Sequence, residues 1–278
     1  MNDSLGDRMK LYESAEAGRR LMPLAPALAR LDGRAFHSFV RGLDRPYDER
    51  LSRLMIETAR YLVQETIATV GYTQSDEITL AWVPTDFESQ VFFDGRIQKM
   101  TSVLAALGSA YFNRRLPEFL PPEYAERLPL FDARIWNVPN LVEAANTFLW
   151  RETDATKNSI SMAARAYYNH SELHEKSGSE MQELLFQKGV NWNDYPAFFK
   201  RGTYLRRETI RKPFPVAEVE ELPPKHAART NPNLVVERSV ITCENLPPLA
   251  KLVNRSGVLF AGEAPRLKAT VDAGMPGR

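Results

Sequence analysis

The sequence predicts an α+β fold built on the strand-helix-strand-strand-helix-strand order of the ferredoxin-like split βαβ unit. Three observations carry that prediction. Short β-rich runs alternate with two long stretches of helical periodicity. Two of those runs flank the polar segment Gln74-Ser75-Asp76-Glu77, as the arms of a hairpin flank its turn. Beyond residue 138 the pattern becomes mainly helical, so a helical and mixed C-terminal extension follows the core.

Taken in order, residues 5–20 read as a polar helix, which Pro23 and Pro26 terminate. Ala27 to Leu31 forms a short apolar strand ending at Asp32, and Gly33 permits a tight turn. Pro46-Tyr47-Asp48 opens a helix with Asp48 as N-cap, and Leu51, Leu54, Met55 and Leu62 recur at helical spacing over residues 49–66. Val70 to Thr73 and Ile78 to Val83 form the hairpin. Ile97, Met100, Leu104, Leu107 and Tyr111 mark a second long helix, Leu116 to Pro129 a Pro-rich loop, and Ala133 to Val138 the last strand of the core. Asn140-Leu141-Val142-Glu143 starts a helical region reaching about Tyr168. His170 to Gly178 reads as a polar loop, Ser179-Glu180-Met181-Gln182 as a capped start and Gly189 as a stop. A Pro-rich tract, Pro213 to Pro224, precedes weak strand signals at Leu234 to Val236, Val240 to Thr242 and Gly257 to Phe260, then a loose end. Three units follow: a core over 1–138, a helical region with a basic segment over 139–212, and an extension over 213–278 to which no role is assigned.

Composition sets the outer limits. Hydrophobic residues make up 44% of the 278 and charged residues 26%, as in an ordinary globular protein. Lys+Arg 36 against Asp+Glu 35 leaves a net charge of +1, so a surface for nucleic acid has to be local. The single cysteine, Cys243, excludes an internal disulfide and a Cys-based zinc site. No apolar run approaches the roughly 20 residues that span a bilayer. The N-terminus lacks the cationic and apolar regions of a secretory signal, so a cytoplasmic location and no membrane partner are expected.

The chemistry centres on two acids. Singly, Asp32-Gly33 is most often a turn, and Asp76-Glu77 is ordinary solvated turn chemistry. The topology changes that reading. In a split βαβ sheet the third strand lies between the first two and runs antiparallel to them. The end of the first strand and the hairpin turn then meet at one edge, where Asp32 and Asp76 converge. Two carboxylates held there suit a pair of hard divalent cations, and Gly33 can offer its carbonyl. Such a metal pair stabilises the attacking and leaving oxygens of a nucleotidyl transfer. Arg96 and Lys99 share a helix face, either as solvated charge or as a triphosphate clamp. Ser75 can donate to a phosphate or close the turn, and His37 can serve as a structural donor or pack beside a base. Phe198-Phe199-Lys200-Arg201-Gly202, Arg206-Arg207 and Arg211-Lys212 suit a nucleic-acid backbone or a basic helix end or loop.

These residues, in this order, resemble the tRNA-histidine guanylyltransferase superfamily over roughly residues 5–210. Arg30-Leu31-Asp32-Gly33-Arg34, with Phe36-His37, resembles its first metal motif, and Gln74-Ser75-Asp76-Glu77 its second. Arg45-Pro46-Tyr47-Asp48 corresponds to a Lys-Pro-x-Asp element, Phe131-Asp132-Ala133-Arg134 to Phe-Asp-Gly-Arg, and Arg96-x-x-Lys99 falls where that family binds triphosphate. Trp150-Arg151, Leu184-Leu185-Phe186, Gly189 to Asn193 and Lys200-Arg201-Gly202 follow in family order.

The resemblance implies a polymerase-like palm that adds nucleotides to the 5′ end of tRNA in the 3′-to-5′ direction, after 5′ activation. It implies two Mg2+ ions on Asp32, Gly33 and Asp76, with Asp32, Asp76 and Glu77 catalytic. It implies GTP, ATP and other NTPs as partners, bound by Asp32, Gly33, Arg34, Ala35, Phe36, His37, Ser75, Asp76, Arg96 and Lys99. It places tRNA on Arg30, Arg151, Asn158, Lys200, Arg201, Arg206 and Arg207, across a homotetramer built as a dimer of dimers. One departure bears on subtype. Enzymes that mark histidine tRNA carry His-Ile-Asn-Asn where this chain has Thr156-Lys157-Asn158-Ser159. That looks more like the guanylyltransferase-like branch, which repairs 5′-truncated tRNAs against the opposite strand. Addition of the extra guanosine to histidine tRNA is the alternative. A palm-domain nucleotide cyclase and a non-catalytic tRNA-binding module stand further off.

Overall fold

The computed structural model describes residues 4–89, 91–231 and 233–269. The expected loose C-terminal end and the first three residues lie outside the described residues. In chain order the elements are α1 (Leu5–Ala17), β1 (Ala27–Gly33), α2 (Phe36–Phe39), α3 (Glu49–Glu65), β2 (Val70–Gln74), β3 (Glu77–Trp82), α4 (Ile97–Phe119) and β4 (Phe131–Asn137). There follow α5 (Leu141–Arg165), α6 (His170–Leu173), α7 (Gly178–Gln187), α8 (Ala197–Arg201), β5 (Thr203–Pro213), α9 (Val216–Glu221), α10 (Ala227–Thr230) and β6 (Val235–Glu244).

Six strands form one sheet in the order β4-β1-β3-β2-β5-β6. The first four have the expected split βαβ arrangement, with β3 antiparallel to both β1 and β2. Alternation along the strands sends Ala27, Ala29, Leu31, Ile78, Leu80 and Trp82 to one face, against α3 and α4. Leu28, Tyr72, Ala81 and Tyr204 face the other way, where Phe148 of α5 covers them together with Leu249, Leu252, Val258 and Leu259. A third cluster, Ala163, Ala164, Leu173, Leu185 and Phe199, joins α5, α6, α7 and α8.

Local chemistry fixes the element ends. Asp48 caps α3, accepting hydrogen bonds from the Arg50 amide at 2.9 Å and the Arg50 guanidinium at 2.6 Å. Burial alone would raise the Asp48 carboxyl, but the bonds from Arg50 and from the Asp44 and Leu51 amides outweigh it and hold the group below its ordinary range.

Several expectations need correction. The cap of α7 is Ser177, in a reciprocal capping box with Glu180, two residues ahead of the expected Ser179. The polar loop from His170 contains the short helix α6, started by an Asn169–Glu172 capping box. The loop from Leu116 is partly helical: α4 continues to Phe119 through Pro117, and a 3-10 turn occupies Pro122–Arg127. Arg206, Arg207 and Arg211 lie on strand β5, neither a helix end nor a loop. The two weak signals around residues 234–242 are one strand, β6, paired with β5 from Glu244 to Val235. Gly257–Ala261 is a wide helical turn. Val258 and Leu259 are both buried there, which a strand with one covered face does not allow for consecutive residues. β5 and β6 continue the sheet of the core across the expected boundary at residue 212.

Candidate active site

The register of the sheet builds the site. Asp32, at the end of β1, lies opposite Glu77 of β3 on one side and Asp132 of β4 on the other. Directly opposed residues share a face, so three acids stand abreast, and like charges so placed repel. The next rung toward the sheet interior carries Thr79, Arg30 and Arg134, which supplies the compensating cations. Arg30 Nε is 3.2 Å from Glu77 Oε1, and its Nη2 is 3.8 Å from Asp32 Oδ2. Arg134 Nε is 3.9 Å from Asp132 Oδ1. Arg151 comes from α5 and is buried: its Nη2 donates to Glu77 Oε2 at 2.5 Å and its Nη1 to Asp154 Oδ2 at 3.0 Å.

Asp76 occupies the hairpin turn beside this row. The Gly33 amide donates to the Asp76 carbonyl at 3.1 Å, which ties the β1 end to the turn and brings Asp32 and Asp76 together. Burial pushes the Asp76 carboxyl up, and the charge of Asp32 adds to the rise. The Ser75 hydroxyl donates to Asp76 Oδ1 at 2.9 Å, and among the described residues no cation pairs with Asp76. Glu77 differs: burial raises it, but Arg151 and Arg30 oppose that rise.

Gly33 is dictated by packing. A Cβ there would overlap the ring of Phe36, which packs in the core in tilted and edge-on contacts with Phe39, Phe112 and Phe131. The left-handed residue of that turn is Ala35, with φ 52°. Arg34, Ala35 and His37 are exposed around it, and Phe36 is buried.

Beside the acids opens a cleft of about 560 Å3 between the core and the helical region, lined by His37, Tyr47, Ser75, Arg165, Phe198 and Phe199 among others. Arg41, Arg45 and Arg165 bring cations to it. The Met162 and Arg165 contribution escapes sequence reading, because only the packing of α5 on α8 brings that turn of α5 to the hairpin.

Other expected site residues lie elsewhere. Arg96 and Lys99 sit at the opposite end of the sheet. The Leu21 amide donates to the Gly95 carbonyl, and Met22 is bonded to Asn137, which pairs with Ala27 at the start of β1. At roughly 3.3 Å per residue the five steps of β1 from Ala27 to Asp32 separate them from the acid by about 17 Å. The reason is topological: α4 runs back against β3, so its first turn begins at the far edge. Arg206 pairs with Glu208 and with Glu244 at 3.0 Å. Arg207 donates to the Val63 and Gln64 carbonyls at the end of α3 and to the Ala68 carbonyl in the turn beyond it. Lys200 donates to the Asn193 carbonyl and lies over the Trp192 ring. Arg201 is half-buried, and Asn158 is exposed on α5. Arg151, Arg206 and Arg207 are thus engaged within the chain, whereas Asn158 faces solvent.

A sequence model of tRNAHis guanylyltransferase (Thg1) matches residues 6–139. A solved bacterial tRNA(His) guanylyltransferase (Thg1)-like protein in complex with ATP is 39% identical, with TM-score 0.68, over 73% of this chain and 88% of that one. One in complex with GTP is 33% identical, with TM-score 0.66, over 90% and 95%. The chain belongs to the tRNAHis guanylyltransferase family. The tRNA(His) guanylyltransferase of Schizosaccharomyces pombe is 28% identical over 224 residues, covering 76% of this chain and 83% of that protein.

Members of the guanylyltransferase family are nucleotidyltransferases, so the chain is an enzyme of that class. Its donor set fits a hard divalent cation: Asp76 is a half-buried carboxylate beside Asp32 that pairs with no cation among the described residues, a state that costs free energy unless a positive charge arrives. Among the described residues no group of three or more His, Cys, Asp or Glu side chains is placed to hold a metal. No helix among the described residues is long and apolar enough to cross a membrane.

Proposed function

We propose that the chain transfers a nucleotide from GTP or another NTP onto the 5′ end of a tRNA, extending it in the 3′-to-5′ direction after 5′ activation. The observation that carries this reading is the juxtaposition of Asp32 with the half-buried Asp76, which pairs with no cation among the described residues, beside the cleft that Ser75 lines. Asp32, Asp76 and the Gly33 carbonyl would hold Mg2+, which when bound supplies charge stabilisation for the attacking and leaving oxygens. The chain's own side chains position and bind. Arg30 and Arg151 clamp Glu77, which keeps it off the metal position and makes it an anchor for the acidic row. His37, Tyr47 and Phe198 give the cleft flat apolar surface for a base, while Arg41, Arg45 and Arg165 give it charge for phosphates.

Two tRNA substrates compete. The matched family and the fission-yeast relative carry the name of the histidine-tRNA enzyme, which supports addition of an extra 5′ guanosine at least as well as repair. Thr156 at the place of the family histidine supports the second reading, templated repair of 5′-truncated tRNA. Incubating the protein with Mg2+, ATP and labelled GTP on histidine tRNA and, separately, on 5′-truncated tRNAs tests both. Label on neither substrate refutes the proposal. Label restricted to histidine tRNA removes the repair reading. The homotetramer that the resemblance implies is checked by light scattering of the same preparation.

A further inference from the structure

Of the four tryptophans, three are at least half-buried and one is not. Trp82 is buried at 2% exposure, and Trp136 and Trp192 are half-buried, but Trp150 of α5 is 52% exposed. Its ring is not a loose surface group. The Arg151 guanidinium carbon lies 4.4 Å from the indole, and that guanidinium is itself fixed by Glu77 and Asp154. One face of the indole therefore rests on an anchored cation, while half its surface remains in water. The anchor also fixes its location. Arg151 reaches Glu77, which stands opposite Asp32, so the indole is one residue along α5 from a contact with the acidic row. Helical spacing continues the same ridge through Asp154 to Lys157 and Asn158, both exposed. An aromatic plate, followed beyond the Arg151-paired carboxylate of Asp154 by a cation and an amide, suits an unpaired base with its adjoining phosphate.

We propose that Trp150 is a stacking platform for an unpaired nucleobase at the acceptor end of the RNA substrate. This inference rests on the reading that the enzyme acts on tRNA ends. A base set on the free face of the indole would be sandwiched against the Trp150–Arg151 pair, holding the RNA end beside the acids. Stacking of this kind is sequence-tolerant, because every base presents a π-face.

The test uses the full chain and two RNAs: a tRNA with its unpaired 3′ end intact, and the same tRNA trimmed to a blunt acceptor stem. Trp150→Ala should weaken binding of the intact tRNA by about 5- to 100-fold, leave the blunt RNA unchanged, and Trp150→Phe should restore most of the difference. Iodide should quench an indole component that Trp150→Phe removes and that the intact tRNA protects. Equal losses on both RNAs, or no loss on either, overturn the proposal. So does an indole already shielded from iodide in the free protein, which would place it in a subunit contact. Nucleotide incorporation by the unsubstituted protein is followed alongside. Incorporation without discrimination between the two RNAs sinks the platform alone. Discrimination without incorporation on any tRNA sinks the proposed reaction and leaves the platform standing.

Discussion

Replacing Arg151 by Met separates an internal anchor from an RNA contact. The side chain is 8% exposed and makes two charge-assisted hydrogen bonds, at 2.5 Å to Glu77 and 3.0 Å to Asp154. Met keeps much of the volume and removes the charge. Stripping one partner from a fully buried ion pair costs about 3–5 kcal/mol. Glu77 keeps Arg30 at 3.2 Å and Asp154 has access to water, so the loss is smaller here, about 2–3 kcal/mol. For a chain of this size that lowers Tm by about 4–6 °C. Arg151→Lys keeps a charge but not the planar fork that serves both acids, and should fall between the two. Urea denaturation of Arg151→Met, Glu77→Gln and the double variant gives the coupling directly, expected at about 1–3 kcal/mol. A coupling near zero, with stability untouched and tRNA binding alone weakened, would refute the anchoring role and restore Arg151 as a direct RNA contact.

Asp76→Asn removes a charge that burial and Asp32 both disfavour, so the variant should melt no lower than the unsubstituted protein while nucleotide incorporation falls by about 10³-fold or more; incorporation near the original rate would void the metal assignment. Asp48→Ala deletes the α3 cap and should cost about 1–2 kcal/mol at neutral pH. Because the folded pKa of Asp48 is depressed, that stability is present above its ordinary 3.8 and vanishes as pH falls through the folded value, so denaturation midpoints of variant and parent should converge in acid. Glu152 is buried and raised by that burial, although the Leu249 amide at 2.8 Å and the Tyr204 hydroxyl at 2.9 Å donate to it. The sign is opposite: its ionisation costs stability as pH rises from 4.5 through the folded value, and Glu152→Gln should lack that loss. A constant gap between parent and Gln variant at every pH would contradict the burial argument.

The part of the fold written in local signals was legible. The β1 strand, the Asp48 cap, the amphipathic α3 and the hairpin around Ser75 follow from periodicity and turn chemistry, and the meeting of Asp32 with Asp76 follows from strand order alone. What was not legible depends on contacts between distant segments. β5 carries too many charges to announce a strand and β6 gives only two weak, separate signals, and their pairing supplies what composition does not. Arg207 looks like a surface cation in sequence and is in fact bonded to carbonyls at the end of α3 and in the turn beyond it. Arg96 and Lys99 illustrate the same limit from the other side. Their helical spacing is correct, but which end of the sheet they occupy is set by the direction of α4. Arg165 enters the cleft only because α5 packs on α8, an interface that no short motif encodes.

Leu28, Tyr72 and Ala81, laid down early in synthesis, wait for Leu249, Leu252, Val258 and Leu259 to shield them. A growing chain therefore leaves the ribosome with that side of its sheet only partly covered, by Ala145 and Phe148 of α5, until residues 249–259 emerge. A product stopped near residue 245 would carry both carboxylates and the whole cleft, yet display a greasy strand surface to chaperones and proteases. Residues 249–259 thus support the catalytic half from behind, through segments that do not line the cleft.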